Sequence, residues 1–339
     1  MTTAVQVLLS VGASILPVAV FLGGLVVLDS YKLVRRNDVL LSLAVGAVAA
    51  FASLAVYKAV LALSGIALET YIRYVAPLVE ESLKAAYIIV LLRRKSVGFL
   101  VDAGIIGFAL GAGFAIVENT TYVMELASAS PAVWIVRGFG TAVMHGGTTA
   151  LVAIVAKSVA DARSTENMLV ALPGLGIAAV LHSFFNHFFF TPIINTAVIL
   201  LGIPLALGGA FMESEKRTQE WLGAGFDSDA NLLATILKGN VAQTPVGQFL
   251  DSLQQRFTPE VVVDLLCYLR LHCELAIQAK GVLMMRSTGF DVPLDPTVSD
   301  KFKELTYLEH SIGATGKLAL RPIIRSSSQD VWQLRVLQA

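Results

Sequence analysis

The stretch from Pro77 to Leu92, PLVEESLKAAYIIVLL, sets two adjacent glutamates and a lysine, Glu80, Glu81 and Lys84, in a run that is otherwise almost wholly apolar. On a soluble helix EESLK is an ordinary solvated face. In a helix that crosses lipid, each such charge near the centre costs about 2.5 to 3.5 kcal/mol on insertion scales and marks a functional site by default. The fold turns on which environment this segment occupies.

The rest of the chain points to the membrane. Of 339 residues, 55% are hydrophobic and only 15% charged, and the charges are unevenly spread, which is a membrane composition. A crossing needs roughly 20 mainly apolar residues. Windows of that kind lie at approximately residues 5–28, 39–63, 72–92, 99–124, 131–156, 169–190 and 192–212. No basic residue precedes Lys32, so the first run lacks the charged head of a cleaved signal peptide and is expected to stay as a span. The expected fold is all-α. A polytopic membrane bundle of about seven transmembrane helices over residues 1–212 precedes a mainly helical soluble domain over residues 213–339.

Basic residues occupy alternate loops: Lys32, Arg35 and Arg36, then Arg93, Arg94 and Lys95, then Lys157 and Arg163, then Lys216 and Arg217. The opposite loops hold little beyond Arg73 and Arg137. The positive-inside rule then predicts a multi-pass protein of the cell (inner) membrane, N-terminus outside and C-terminal domain cytoplasmic. Formal charge is zero, with 25 basic and 25 acidic residues, so nothing suggests nucleic acid as a partner. Cys267 and Cys273, in CYLRLHC, lack the paired spacing of a zinc site and read as ordinary thiols. The C-terminal domain carries no motif tied to chemistry, and its regulatory or interaction role is unassigned.

Ionisable groups inside the spans are informative where they converge. Counting from the outer ends at the helical rise, Glu80 and Glu81 lie about 12 to 14 Å deep, Glu118 about 9 Å and His182 about 12 Å. Asn186 follows His182 by four residues and shares its face. His145, counted from Pro131, lies deeper, about 20 Å, and joins the others only if its helix starts later or tilts. Other groups have plainer readings. His187 reads as an interhelical hydrogen-bonder, Lys58 and Arg73 as snorkelling chains, Asp102 as interfacial, and Gly107 with Gly111 as a close-packing pair. For the glutamates the plain reading is an ion pair with Lys84 that holds the bundle together. Three carboxylates and two or more histidines exceed what one lysine neutralises.

Paired carboxylates in a low-dielectric pocket can share a proton, so that one acts as base while the other holds it. Deprotonating a water that attacks a carbonyl then becomes available, with an imidazole and an amide N–H₂ to stabilise the oxyanion.

The motifs also form an ordered set. EESLK fits EExxK, FAIVEN from Phe114 to Asn119 fits FxxxEN, His145 opens a glycine-containing His motif, and HSFFN fits HxxxN. In that order on successive spans, over roughly residues 5–212, they resemble the PrsW-type glutamic intramembrane proteases, distant relatives of the CAAX prenyl endopeptidases. The resemblance implies a multi-spanning hydrolase without a metal cofactor that cuts membrane-anchored proteins within the lipid, with single-span anti-sigma factors as its best-known clients. Carried over, Glu80 is the base that activates water, and Glu81 supports it or shares a proton. His182 and Asn186 stabilise the oxyanion, Glu118 orients the water or takes part in proton transfer, and His145 completes the pocket, with Lys84 and Asn119 in support. The CAAX relatives have histidine at the FxxxE position, so Glu118 departs from their pattern.

Two other readings remain. In one, His145, His182 and Glu118 bind zinc and Glu80 is the base. In the other, the ionisable chain is the proton relay of a proton-coupled transporter. The latter expects inverted repeats, and no convincing internal repeat is found.

Overall fold

The computed structural model describes residues 3–125, 133, 136–165, 167–290, 293, 295–324 and 328–338, among which there are helices and no strand. The chain divides into two compact units, Met1–Asp29 with Leu33–Glu215, and Lys216–Ala339 with Ser30–Lys32.

The first unit contains α1 (Thr3–Val27), α2 (Arg36–Ser64), α3 (Ala76–Arg93), α4 (Leu100–Glu125), α5 (Ala142–Arg163), α6 (Leu172–His187) and the first part of α7 (Pro192–Leu237). Five helices among the described residues are long and apolar enough to cross a membrane, and α1 is apolar over Ile15–Val27. Helix α3 has the length, 18 residues, but carries Glu80, Glu81, Lys84 and Arg93. The architecture is a helical membrane bundle. The expected start of the fifth span, Pro131, lies outside the described residues. The described part of that span opens with a π-helical turn, Val136–Thr141, that leads into α5.

Between Asp102 and Glu118 helix α4 is apolar on every face, and a central position suits such a helix. In its spanning window 89% is buried, and it packs along both α2 and α5. Lipid supplies no hydrophobic drive between helices, so close backbone approach through small residues holds them together. A Cβ on Gly46 would stand 1.9 Å from Leu110 O, one on Gly111 2.1 Å from His145 O, and one on Gly113 2.0 Å from Leu43 O. The Gly107 and Gly111 pair is therefore a packing seam between α4 and α5. Asp102, expected at the interface, is only 1% exposed. Its carboxylate accepts from the N–H groups of Gly98 and Phe99, both at 2.7 Å, and closes the turn ahead of α4.

Another π-helical turn, Tyr71–Val75, precedes α3. Ala76 N–H donates five residues back to Tyr71 O, and the next donor in that register would be Pro77, which has no N–H. Side chains of α6 supply the missing donors. Asn186 Nδ2 donates to Ile72 O at 2.9 Å and Ser183 Oγ to Arg73 O at 2.6 Å. His187 Nδ1 donates within its own helix to Ser183 O at 2.6 Å, rather than across helices.

The second unit contains the end of α7, α8 (Pro245–Leu253), α9 (Pro259–Ser287), α10 (Val298–Leu320) and α11 (Ser328–Gln333). Its core runs along α9, where Leu265, Leu269, Leu275 and Leu283 are buried. Lys280 is also buried there, 2.5 Å from Asp229 Oδ2 and over the Trp221 ring at 5.1 Å. Both cysteines are free thiols, Cys267 exposed and Cys273 buried.

Candidate active site

Helices α3, α4, α5 and α6 bring Glu80, Glu81, Lys84, Glu118, His145 and His182 into one connected network. Glu81 and Lys84 are fully buried and pair at 2.7 Å. The i,i+3 spacing on α3 makes that pair a local consequence of the sequence. Glu81 Oε1 also accepts from His182 Nδ1 at 2.9 Å, and Thr148 Oγ1 lies 3.2 Å from it. Lys84 Nζ reaches His145 Nδ1 at 3.4 Å. His145 Nε2 in turn lies 2.7 Å from Glu118 Oε2.

These contacts fix the imidazole tautomers. An ammonium only donates, so His145 Nδ1 accepts and the ring proton sits on Nε2, donated to Glu118. Glu81 only accepts in its ionised form, so His182 donates from Nδ1, and in the neutral ring its Nε2 is left as an acceptor. That nitrogen faces Glu80 Oε2 at 3.8 Å, too far for a direct hydrogen bond and in the range that a water spans. The two rings meet edge to face with centroids 4.8 Å apart.

The two glutamates therefore differ in kind. Glu81 is a buried anchor for a cation and an imidazole. Glu80 keeps 15% of its side chain exposed, and its neighbours are Ser53 Oγ at 3.4 Å and Nε2 of His182 at 3.8 Å. Glu118 is 27% exposed at the far end of the network. Asn119 is buried beside it in sequence. Asn186 is half-buried, and the hydrogen bond it makes is to the π-turn carbonyl of Ile72. His145 belongs to the network through Glu118 and Lys84; the expected start of its span, Pro131, lies outside the described residues.

Ser53, Thr148 and Tyr71 were missed in the sequence. Small hydroxyls are common in apolar spans, and only the spacing of Thr148, three residues after His145 on the same face, carried any signal.

Glu80, His145 and His182 each offer a ligand atom, all within 4.8 Å of one another, and two imidazoles with a carboxylate are a hydrolytic zinc set. Glu118 is attached to that group through His145. Lys84 opposes the fit. A metal on His145 Nε2 would move the ring proton to Nδ1, where it would face the Lys84 ammonium at 3.4 Å, donor against donor. A metal on Nδ1 would set two cations against one another across the same gap. With Lys84 charged, His145 does not serve as a ligand.

A family profile described as PrsW family intramembrane metalloprotease matches residues 35–209, just over half of the chain and every residue of the network. No curated protein and no solved structure matches the chain.

Proposed function

The chain belongs to the PrsW family of intramembrane proteases, and from that premise we propose that it hydrolyses peptide bonds of membrane-anchored proteins with a water activated by Glu80 and no metal. One observation carries this reading: Glu80 is the partly exposed carboxylate facing Nε2 of His182, while Glu81 is taken up by Lys84 and His182.

In this mechanism the attacking water sits between Glu80 and His182. Glu80 removes a proton as the water oxygen bonds to the scissile carbonyl carbon, and the carbonyl π pair moves onto oxygen. When the tetrahedral intermediate collapses, the C–N bond breaks and the proton held by Glu80 passes to the leaving amine nitrogen. Glu81 holds the His182 ring so that Nε2 faces the water. Lys84 balances Glu81 and fixes His145, which ties Glu118 to the network. Asn186 contributes by holding the π-turn ahead of α3.

The alternating basic loops support an N-terminus outside and a cytoplasmic domain over residues 213–339, with residues 1–212 as the protease. The cut then falls in the outer half of the membrane, and single-span proteins resembling anti-sigma factors are the fitting clients. The family match weighs against a transporter. A metal-dependent variant is favoured by the grouping of Glu80, His145 and His182 and by the description of the matching family as metalloproteases, but it requires Lys84 to move or lose its proton. Metal analysis of the purified protein and activity in chelator separate the two.

The experiment compares membrane-protein fragments in cells carrying the wild type or Glu80→Gln. At least one membrane-anchored protein is expected to be cut in the first and to accumulate whole in the second. Identical fragment patterns would sink the reading.

A further inference from the structure

Tyr71 stands at the head of the π-turn before the glutamates, and nothing in the motif set includes it. It is 2% exposed, and its hydroxyl oxygen is buried with no hydrogen-bond partner among the described residues. Buried tyrosine hydroxyls ordinarily find one, so an orphan donor in a membrane bundle needs a reason. Its ring is fixed against Tyr57, centroids 5.2 Å apart. Tyr57 stands one turn from Ser53 on α2, and the Ser53 hydroxyl lies 3.4 Å from Glu80 Oε1.

The backbone that carries Tyr71 is held from α6. Pro77 withholds an N–H from the turn, and Asn186 and Ser183 donate to Ile72 O and Arg73 O, the two carbonyls that follow Tyr71. The helix that presents His182 to the water therefore also sets the position of this hydroxyl. π-turns of this kind recur at functional sites.

From these observations we infer that Tyr71 is a further catalytic residue, whose hydroxyl donates to the oxyanion formed when the Glu80-activated water adds to the scissile carbonyl. The inference rests on the reading of Glu80 as the base. The hydroxyl keeps its proton throughout: the water proton goes to Glu80 and then to the leaving amine, and Tyr71 lends only a hydrogen bond that strengthens as charge develops on the carbonyl oxygen. An acceptor that exists only during turnover accounts for the orphan state. Asn186 and Ser183 are positioning residues that act through the turn.

The test is Tyr71→Phe, which removes one oxygen and keeps the ring packed on Tyr57. The probe is the membrane segment whose cleavage disappears in Glu80→Gln, presented to purified protein in proteoliposomes. Loss of one oxyanion donor typically lowers kcat about 10²-fold. The expected result is that loss in kcat, KM within about threefold of wild type, and a melting temperature unchanged or raised, because removing an unpartnered buried hydroxyl relieves the folded state. A purely structural tyrosine would leave kcat untouched in this variant. Wild-type kcat in Tyr71→Phe, with Glu80→Gln inactive, overturns the role of Tyr71 alone. Cleavage by Glu80→Gln overturns the base assignment and this inference together.

Discussion

Glu81 accepts a hydrogen bond from His182 Nδ1 at 2.9 Å, and this one bond turns Nε2 of His182 toward Glu80. Two neighbouring carboxylates thereby have opposite duties, one structural and one chemical. Replacing them separately should reveal the division. Glu81→Gln leaves Lys84 buried without its counter-charge, and breaking a buried pair from one side costs about 3–5 kcal/mol. Glu80→Gln should stay within about 1 kcal/mol of wild type in stability and lose cleavage. Thermal melts in detergent, read beside cleavage, check both. A Glu81→Gln protein as stable as wild type would contradict the anchoring role.

The seam between α4 and α5 sets the position of His145. A methyl on Gly111 would meet His145 O at 2.1 Å, and overpacking of this kind costs about 1–3 kcal/mol. A displacement near 1 Å in a catalytic group can cost about 10²-fold in rate. Gly111→Ala is expected to lower both the melting temperature and the cleavage rate by such amounts. Gly208→Ala is the control, since nothing lies within 4 Å of its Cβ position. Equal behaviour of the two variants would count against the seam.

Cys273 and Cys267 should react differently. Burial, with the nearby Asp229 charge, pushes the Cys273 thiol up to about 12, whereas Cys267 is exposed. At pH 8 a maleimide is expected to label one thiol in the folded protein and two after denaturation, and Cys267→Ser should abolish the native label. An unfolded thiol ionises near about 8.5. Between there and about 12 the folded state retains a proton that the unfolded state has lost. The second unit should therefore lose stability as pH rises through that window. Flat stability across it would contradict the burial of Cys273.

The Lys280–Asp229 pair is the corresponding buried pair of the second unit, with side chains 2% and 22% exposed. Asp229→Asn should destabilise that unit by about 3 kcal/mol, because the lysine is left buried without its anion. Replacing both residues by apolar ones of similar size should recover much of the loss. A double variant no better than Asp229→Asn would place the cost elsewhere.

Much of the site is legible in the sequence, because charges inside apolar runs are conspicuous and helical depth can be counted. Glu80, Glu81, Glu118 and His182 were counted to similar depths, and the structure joins them in one network. Counted from Pro131, which lies outside the described residues, His145 is deeper than the others, yet it joins the network, just after a π-turn that hydrophobic periodicity does not reveal. Asn186 shares the face of His182, as its spacing implies, but periodicity carries no information about which acceptor it meets. That acceptor, Ile72 O, is offered where Pro77 interrupts the backbone ladder. Tyr71 and Ser53 fall in apolar surroundings where hydroxyls are unremarkable, and their importance emerges only from what they do or do not touch. Asp102 shows the converse: counted near a helix end, it read as interfacial, yet its bonds to backbone N–H groups let it be buried.

The central claim is that Glu80 activates the water without a metal. The most direct measurement is cleavage by purified protein in proteoliposomes, wild type beside Glu80→Gln, with and without a strong chelator. The account expects wild type to cut at the same rate in both conditions and Glu80→Gln to cut in neither. Loss of wild-type cleavage in chelator with recovery on added zinc, or wild-type rates from Glu80→Gln, would contradict it.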